Sequence, residues 1–196
     1  MLSPAALRLV LTATWAAWIW LELVAVLGPT VLDQVRGRGR PQDARSAGLL
    51  LVCAAAALVA AVRLARIPFG ALPGSPVALM AGGIVVVWLG LALQVWAIQH
   101  LGGLFRSVVV VPRDHRLVTT GPYRRLRHPS YTGALLAAAG FGVALGRWTS
   151  LIVLVAGFGA ALAYRGVVEE RALCREFGPA FEEYRSRSWR LIPPVY

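Results

Sequence analysis

Apolar residues fall in long runs, separated by short polar stretches dense in arginine. The runs over about Leu7–Leu32, Ser46–Ala65 and Val77–Gln99 each reach the roughly 20 residues that a membrane-crossing helix needs. Two shorter runs, Tyr131–Gly146 and Thr149–Tyr164, flank Arg147-Trp148 and predict a helical hairpin. Pro68, Gly70, Pro73, Gly74 and Pro76 mark the connection between the second and third runs. A mixed segment over 101–129 precedes the hairpin. The tail from Arg165 to Tyr196 is charged and predicted helical until Gly178-Pro179 interrupts it. The expected fold is all-α and integral to a membrane, with about five transmembrane helices. It divides into N-terminal transmembrane helices 1–3 (residues 1–100) and a core of mixed segment, hairpin and tail (residues 101–196). The fourth and fifth runs are short, so they are expected to tilt or to stop short of the far side.

Composition agrees with that pattern. Of 196 residues, 58% are hydrophobic and 15% charged, with mean hydropathy +0.65. A soluble domain would carry about a quarter charged residues, so a soluble enzyme and a disordered chain are both excluded. The net charge is +11 and all 20 basic residues are arginine. Such a balance on a soluble face would suggest nucleic acid. Here the arginines lie between apolar runs, as the positive-inside rule distributes them, and no nucleic-acid partner is expected. With the N-terminus outside, the first loop, the 101–129 segment and the tail hold 16 of the 20. An N-out, C-in topology follows, with the two most polar segments in one compartment. The all-arginine, alanine-rich usage points to a bacterial cytoplasmic membrane. Cys53 and Cys174 allow neither a disulfide framework nor a CxxC site, and the three histidines lack metal-ligand spacing. The first run is too long for the apolar region of a secretory signal.

Candidate chemistry gathers in two places. Residues 114–133 carry His115, Arg116, Leu117 and Val118, then Gly121-Pro122-Tyr123, then Arg127-His128-Pro129-Ser130-Tyr131. Gly121-Pro122 signals a turn, and Pro129 suits the first turn of the following helix. Histidine, arginine, tyrosine and free backbone groups at a helix mouth suit a charged small molecule. Arg165 and Glu169, four apart on one helix face, follow directly on the fifth run. The bland alternatives are a helix-cap role for His128, a snorkelling Arg165, and belt aromatics at Tyr123 and Tyr131. Glu170 reads as a solvated neighbour of Glu169. Glu22, an acid within a span, is a functional candidate or a partner for Gln94 or His100.

HRLVTTGPYRRLRHPSYTG, then EERAL, FG and the final RLIP, resemble the isoprenylcysteine carboxyl methyltransferase and phospholipid methyltransferase superfamily, over about Phe105 to Pro193. The resemblance implies a small integral-membrane enzyme that uses S-adenosylmethionine, its pocket formed by the 101–129 segment and the helical tail. It implies cofactor contacts at His115, Arg116, Leu117, Val118, Tyr123, His128, Pro129, Ser130, Tyr131 and Glu169. It also implies a catalytic pair, Arg165 and Glu169, with Arg165 at the methyl-acceptor group. The eukaryotic carboxyl methyltransferases place a glutamine upstream of the His-x-Leu-Val run. Here Val108–Val111 are apolar, so that contact is absent or made by backbone. The implied partners are the bilayer and a lipophilic or lipidated acceptor, and carboxyl or hydroxyl O-methylation is the expected reaction. The alternatives are a non-catalytic membrane scaffold or transporter-like protein, and an NADPH-dependent reductase of the sterol type.

Overall fold

The structure is a computed structural model that describes residues 4–35, 41–102 and 117–193. The described residues form six α-helices and no strand: α1 (Pro4–Val35), α2 (Pro41–Leu64), α3 (Pro76–Leu101), α4 (Pro129–Ala144), α5 (Trp148–Phe177) and α6 (Pro179–Ser186). The all-α expectation holds. Ser75 opens α3 as its N-cap, its hydroxyl accepting from the Ala78 amide at 3.1 Å, with Pro76 in the first turn.

The fifth apolar run and the start of the tail are one helix. The change from apolar to charged residues near Arg165 contains no breaker, and alanine, glutamate, leucine and arginine all sustain a helix. The helix stops at Gly178, whose φ of +50° ends α5, and Pro179 begins α6. At 30 residues α5 is about 45 Å long, enough to cross a hydrocarbon core and project beyond it. The 16 residues of α4 reach only about 24 Å. Among the described residues, α3 and α5 are the helices long and apolar enough to cross a membrane by length and composition.

α3 and α4 form the most extensive helix pair, and small residues set how close they come. A Cβ at Gly90 would lie 2.5 Å from the Gly133 carbonyl oxygen, and one at Gly133 would lie 2.6 Å from that of Gly90. Gly83 and Gly140 repeat the arrangement two turns away. Gly90→Ala is therefore expected to force the helices apart and to cost about 1–3 kcal/mol. Thermal unfolding in one detergent checks this, and an unchanged midpoint would mean that the contact is not tight.

α5 packs against α2 and α4, and Ser150 donates to the Ala61 carbonyl at 2.8 Å. Trp18 of α1 fills the centre, its ring 5.3 Å from Phe158 and 6.2 Å from Phe141. At one end the α2–α3 and α4–α5 turns join, with Leu72 N–H on Gly146 and Trp148 N–H on Gly70. Arg63, Arg66 and Arg147 thus share an end, as the arginine distribution requires. The opposite end gathers the start of α4, the charged half of α5, α6 and the tail.

Candidate functional site

The site is built where the chain enters α4. Gly121, at φ +57°, opens a single 3-10 turn over Gly121–Arg124. The turn lies under the His100 ring, and a Cβ on Gly121 would sit 2.5 Å from that ring, so both the conformation and the space call for glycine. His100 Nε2 is 3.0 Å from Thr120 Oγ1. Burial, reinforced by the Glu169 charge, pushes the Tyr123 phenol up. It keeps its hydrogen and donates it to the Ala97 carbonyl at 3.3 Å.

The tail then straps across this turn. Arg127 N–H donates to Trp189 at 2.7 Å, His128 N–H to Arg190 at 3.2 Å, and Trp189 N–H to Arg125 at 2.8 Å. Tyr184 donates its hydroxyl to the Tyr123 carbonyl at 2.6 Å, and Thr132 donates to Leu191 at 2.7 Å. Arg127 Nη1 adds bonds to the carbonyl oxygens of Ser188 and Arg185. Both ends of this strap are thereby pinned through backbone groups that find partners in it.

Two acids one residue apart divide the charges between them. Glu169 Oε1 accepts from the Tyr131 hydroxyl and lies 3.0 Å from Arg165 Nε as an ion pair, while Arg165 Nε donates to the Tyr131 hydroxyl oxygen at 2.9 Å. Glu170 accepts from Arg127 Nε at 2.8 Å and takes the Arg190 fork in two bonds, Nε to Oε1 at 3.0 Å and Nη2 to Oε2 at 2.6 Å. His128 joins the two units. Its Nε2 is 3.3 Å from Glu170 Oε1, and its Nδ1 is 3.5 Å from Glu169 Oε2. The His128 and Tyr131 rings stack at 5.1 Å and 7°. Glu170 keeps 6% of its side chain exposed and Glu169 keeps 18%, so Glu169 is the acid with access to a ligand.

Most of the expected residues converge here. His128, Pro129, Ser130, Tyr131, Arg165 and Glu169 share one cluster, with Tyr123 beside it. Leu117 and Val118 are half-buried and lie outside any helix. His115 and Arg116, like Val108–Val111, lie outside the described residues, and so does the Glu22 side chain. Pro129 opens α4 as expected, and His128 stands at the N-cap. Yet the His128 side chain makes no capping bond, because its ring is turned between the two carboxylates. Arg165 does not snorkel; it is 4% exposed and paired. The expectation for Glu170 is corrected. It is buried under two arginines, because it continues the covered stripe Leu154, Phe158, Leu162 and Gly166 at intervals of four. That i+4 spacing was the available signal. Arg127 and Arg190 were missed for want of any local sign of their shared partner. Cys174 bonds Glu182 at 3.1 Å, which pushes its thiol up and away from the reactive thiolate.

Burial alone would raise the Glu170 carboxyl. Hydrogen bonds from His128, Arg190 and Arg127 outweigh that and hold it well below its ordinary value of 4.5. A depressed folded-state value means stability that is complete above 4.5 and lost progressively as the pH falls beneath it. The unfolding midpoint in detergent is expected to drop between about pH 5 and pH 3. Glu170→Gln should flatten that slope. A wild-type midpoint constant over this range would contradict the assignment.

Comparison with known proteins adds relatives to this geometry. The family model described as phospholipid methyltransferase matches residues 78–180. The protein-S-isoprenylcysteine O-methyltransferase of Schizosaccharomyces pombe is 35% identical over 109 residues, covering 55% of this chain and 46% of that protein. Protein-S-isoprenylcysteine O-methyltransferase B of Arabidopsis thaliana is 35% identical over 115 residues, 58% of each. The cobalt-zinc-cadmium resistance protein CzcN of Cupriavidus metallidurans is 32% identical over 117 residues, 59% of this chain and 49% of that one. The chain thus spans about half the length of the curated relatives it matches. Among solved structures, the eukaryotic intramembrane Ras methyltransferase ICMT matches with TM-score 0.59 and 25% identity, over 74% of this chain and 52% of that one.

Proposed function

Because this chain belongs to the phospholipid methyltransferase family, we propose that it is an integral-membrane methyltransferase that uses S-adenosylmethionine to methylate a lipophilic acceptor. Carboxyl or hydroxyl O-methylation is the reaction the site favours. The observation that carries this reading is the Arg165–Glu169–Tyr131 unit beside His128, its arginine buried and its carboxylate partly open, at the end of an apolar helix face. Exposed Trp20, Val85, Leu89, Trp96 and Ile152 on α1, α3 and α5 suit a lipid surround.

The donor set fits the methyl donor. Glu169 offers carboxylate oxygen to an ammonium or hydroxyl group, and the stacked His128 and Tyr131 rings offer aromatic surface to a sulfonium. Leu117, Val118, Pro129 and Ser130 would wall the pocket, with His115, Arg116 and Tyr123 as further contacts. When bound, S-adenosylmethionine supplies a methyl group already activated by its sulfonium. The chain's own task is then alignment and exclusion of water more than acid–base chemistry. Glu169 would hold the donor. Arg165 would orient an acceptor carboxylate, which is ionised and needs no base. For a hydroxyl acceptor, Glu169 or His128 would be the group to receive the proton.

The arginine distribution supports N-out, C-in insertion in a bacterial cytoplasmic membrane. The donor would then arrive from the cytoplasm and the acceptor from the bilayer. Radiolabelled S-adenosylmethionine offered to the protein with a lipid extract tests the reading. Label is expected to appear in an organic-soluble product. Arg165→Ala is expected to lower transfer about a hundredfold while donor binding persists. Full turnover in that variant would remove the acceptor role from Arg165, and no labelled product in the wild type would count against the reaction.

A further inference from the structure

α4 limits how far the site can stand from the far side of a membrane. Its 16 residues span about 24 Å, less than a hydrocarbon core of about 30 Å. Its C-terminal end is tied to the α2–α3 turn by the Leu72–Gly146 and Trp148–Gly70 bonds. That end carries exposed Ile67, Phe69 and Trp148, groups that suit a lipid interface. Measured inward from there, the start of α4 falls short of the opposite boundary, and a tilt brings it no closer. Arg165 lies about 26 Å along α5 from Trp148, at a similar depth.

The tail strap meets the chain at this level. Trp189 N–H bonds Arg125, Arg127 N–H bonds Trp189, and Thr132 in the first turn of α4 bonds Leu191. Yet the strap leaves two large apolar side chains open, Trp189 and Ile192, each 43% exposed. Trp96 and Tyr164 are exposed at the same end. They stand next in sequence to Ala97, whose carbonyl receives the Tyr123 hydroxyl, and to buried Arg165. Three elements thus present exposed aromatic groups beside site residues. Arg124 and Arg125 are exposed on the entering chain, and among the described residues no carboxylate pairs with either. The acids of α6 are already taken, Glu182 by Arg185 and Glu183 by Arg187.

We propose that the tail strap is a membrane-surface element. Trp189 and Ile192 seat in the headgroup layer of the leaflet at this end, and Arg124 and Arg125 lie against the phosphates of anionic lipids. An indole has an apolar body and a polar N–H, which suits that layer, and a guanidinium fork matches phosphate. The bilayer then bears on the segment that carries Arg190, the partner of Glu170, and the Glu169 carboxylate opens at the membrane surface. The inference rests on the membrane half of the proposed function and is independent of the reaction.

Spin labels read depth directly. In the full chain with Cys53→Ala and Cys174→Ser, single labelled cysteines are made by Trp189→Cys, Ile192→Cys, Leu89→Cys in the middle of α3 and Glu183→Cys on α6. Each protein is placed in vesicles of phosphatidylcholine with a quarter phosphatidylglycerol. Power saturation with oxygen and with a nickel chelate then gives the depth of each label. The label at position 89 is expected deep in the core, that at 183 in water, and those at 189 and 192 at the level of the phosphates. Labels at 189 and 192 as open to nickel as that at 183, with 89 still deep, would overturn the proposal and leave the membrane reading standing. A label at 89 open to nickel would overturn both. Should Trp189→Cys not fold, Ile192→Cys, at the exposed end of the strap, carries the same test. Phosphatidylglycerol is also expected to raise the thermal midpoint, and Arg124→Gln with Arg125→Gln to remove about 2–4 °C of that gain per arginine. An undiminished gain in the folded double variant would overturn the phosphate contact.

Discussion

Replacing Glu170 by alanine is expected to destabilise the fold by about 3–5 kcal/mol, the cost of removing one partner from a buried ion pair. The change leaves Arg127 and Arg190 facing each other and His128 in a space shielded from water, with the carboxylate that offset them gone. Two further features make the loss large. The Arg190 fork engages both oxygens, so the bonds are charge-assisted and directional. Arg127 is also tied to the Ser188 and Arg185 carbonyls, so it cannot easily turn away. Unfolding followed by tryptophan fluorescence in detergent measures the effect, and limited proteolysis should cut the tail first. A loss under about 1 kcal/mol, the range of exposed ion pairs, would show the cluster to be solvated.

Glu169→Ala is expected to leave the fold largely intact and to reduce methyl transfer by about a hundredfold or more. Its side chain is the more open of the two acids, and it pairs with His128, Tyr131 and Arg165, at the start of α4 and on α5. The change removes the oxygen opposite His128 Nδ1 and frees Arg165 and Tyr131 to move. On the proposed reading, the donor's contact and the orientation of the arginine would be lost together. The contrast between adjacent positions is the informative part. Glu170→Ala should act mainly on stability, and Glu169→Ala mainly on turnover. Equal effects on both quantities would mean that the two carboxylates share one role.

The helices were legible in the chain because apolar runs, prolines and glycines bound them so sharply. Pro76, Pro129 and Gly178-Pro179 mark ends that the structure keeps. Hydropathy changes at Arg165 and suggests a boundary there, yet helix continuity depends on backbone propensity, which does not change. The convergence of His128, Tyr131, Arg165 and Glu169 followed from their motifs. The division of labour between Glu169 and Glu170 did not. Adjacent residues on a helix differ by about 100° in direction, and which direction is buried depends on α4 and the tail, far away in sequence. Arg190 lies 20 residues beyond Glu170, and only the turn at Gly178 brings it back. Long-range pairing of that kind leaves no periodic trace.

The most direct measurement is calorimetric binding of S-adenosylmethionine and S-adenosylhomocysteine to the purified protein in nanodiscs, with His128→Ala and Glu169→Ala alongside. The account predicts saturable binding of both compounds by the wild type and weaker binding by each variant. A folded wild type that binds neither compound would contradict it.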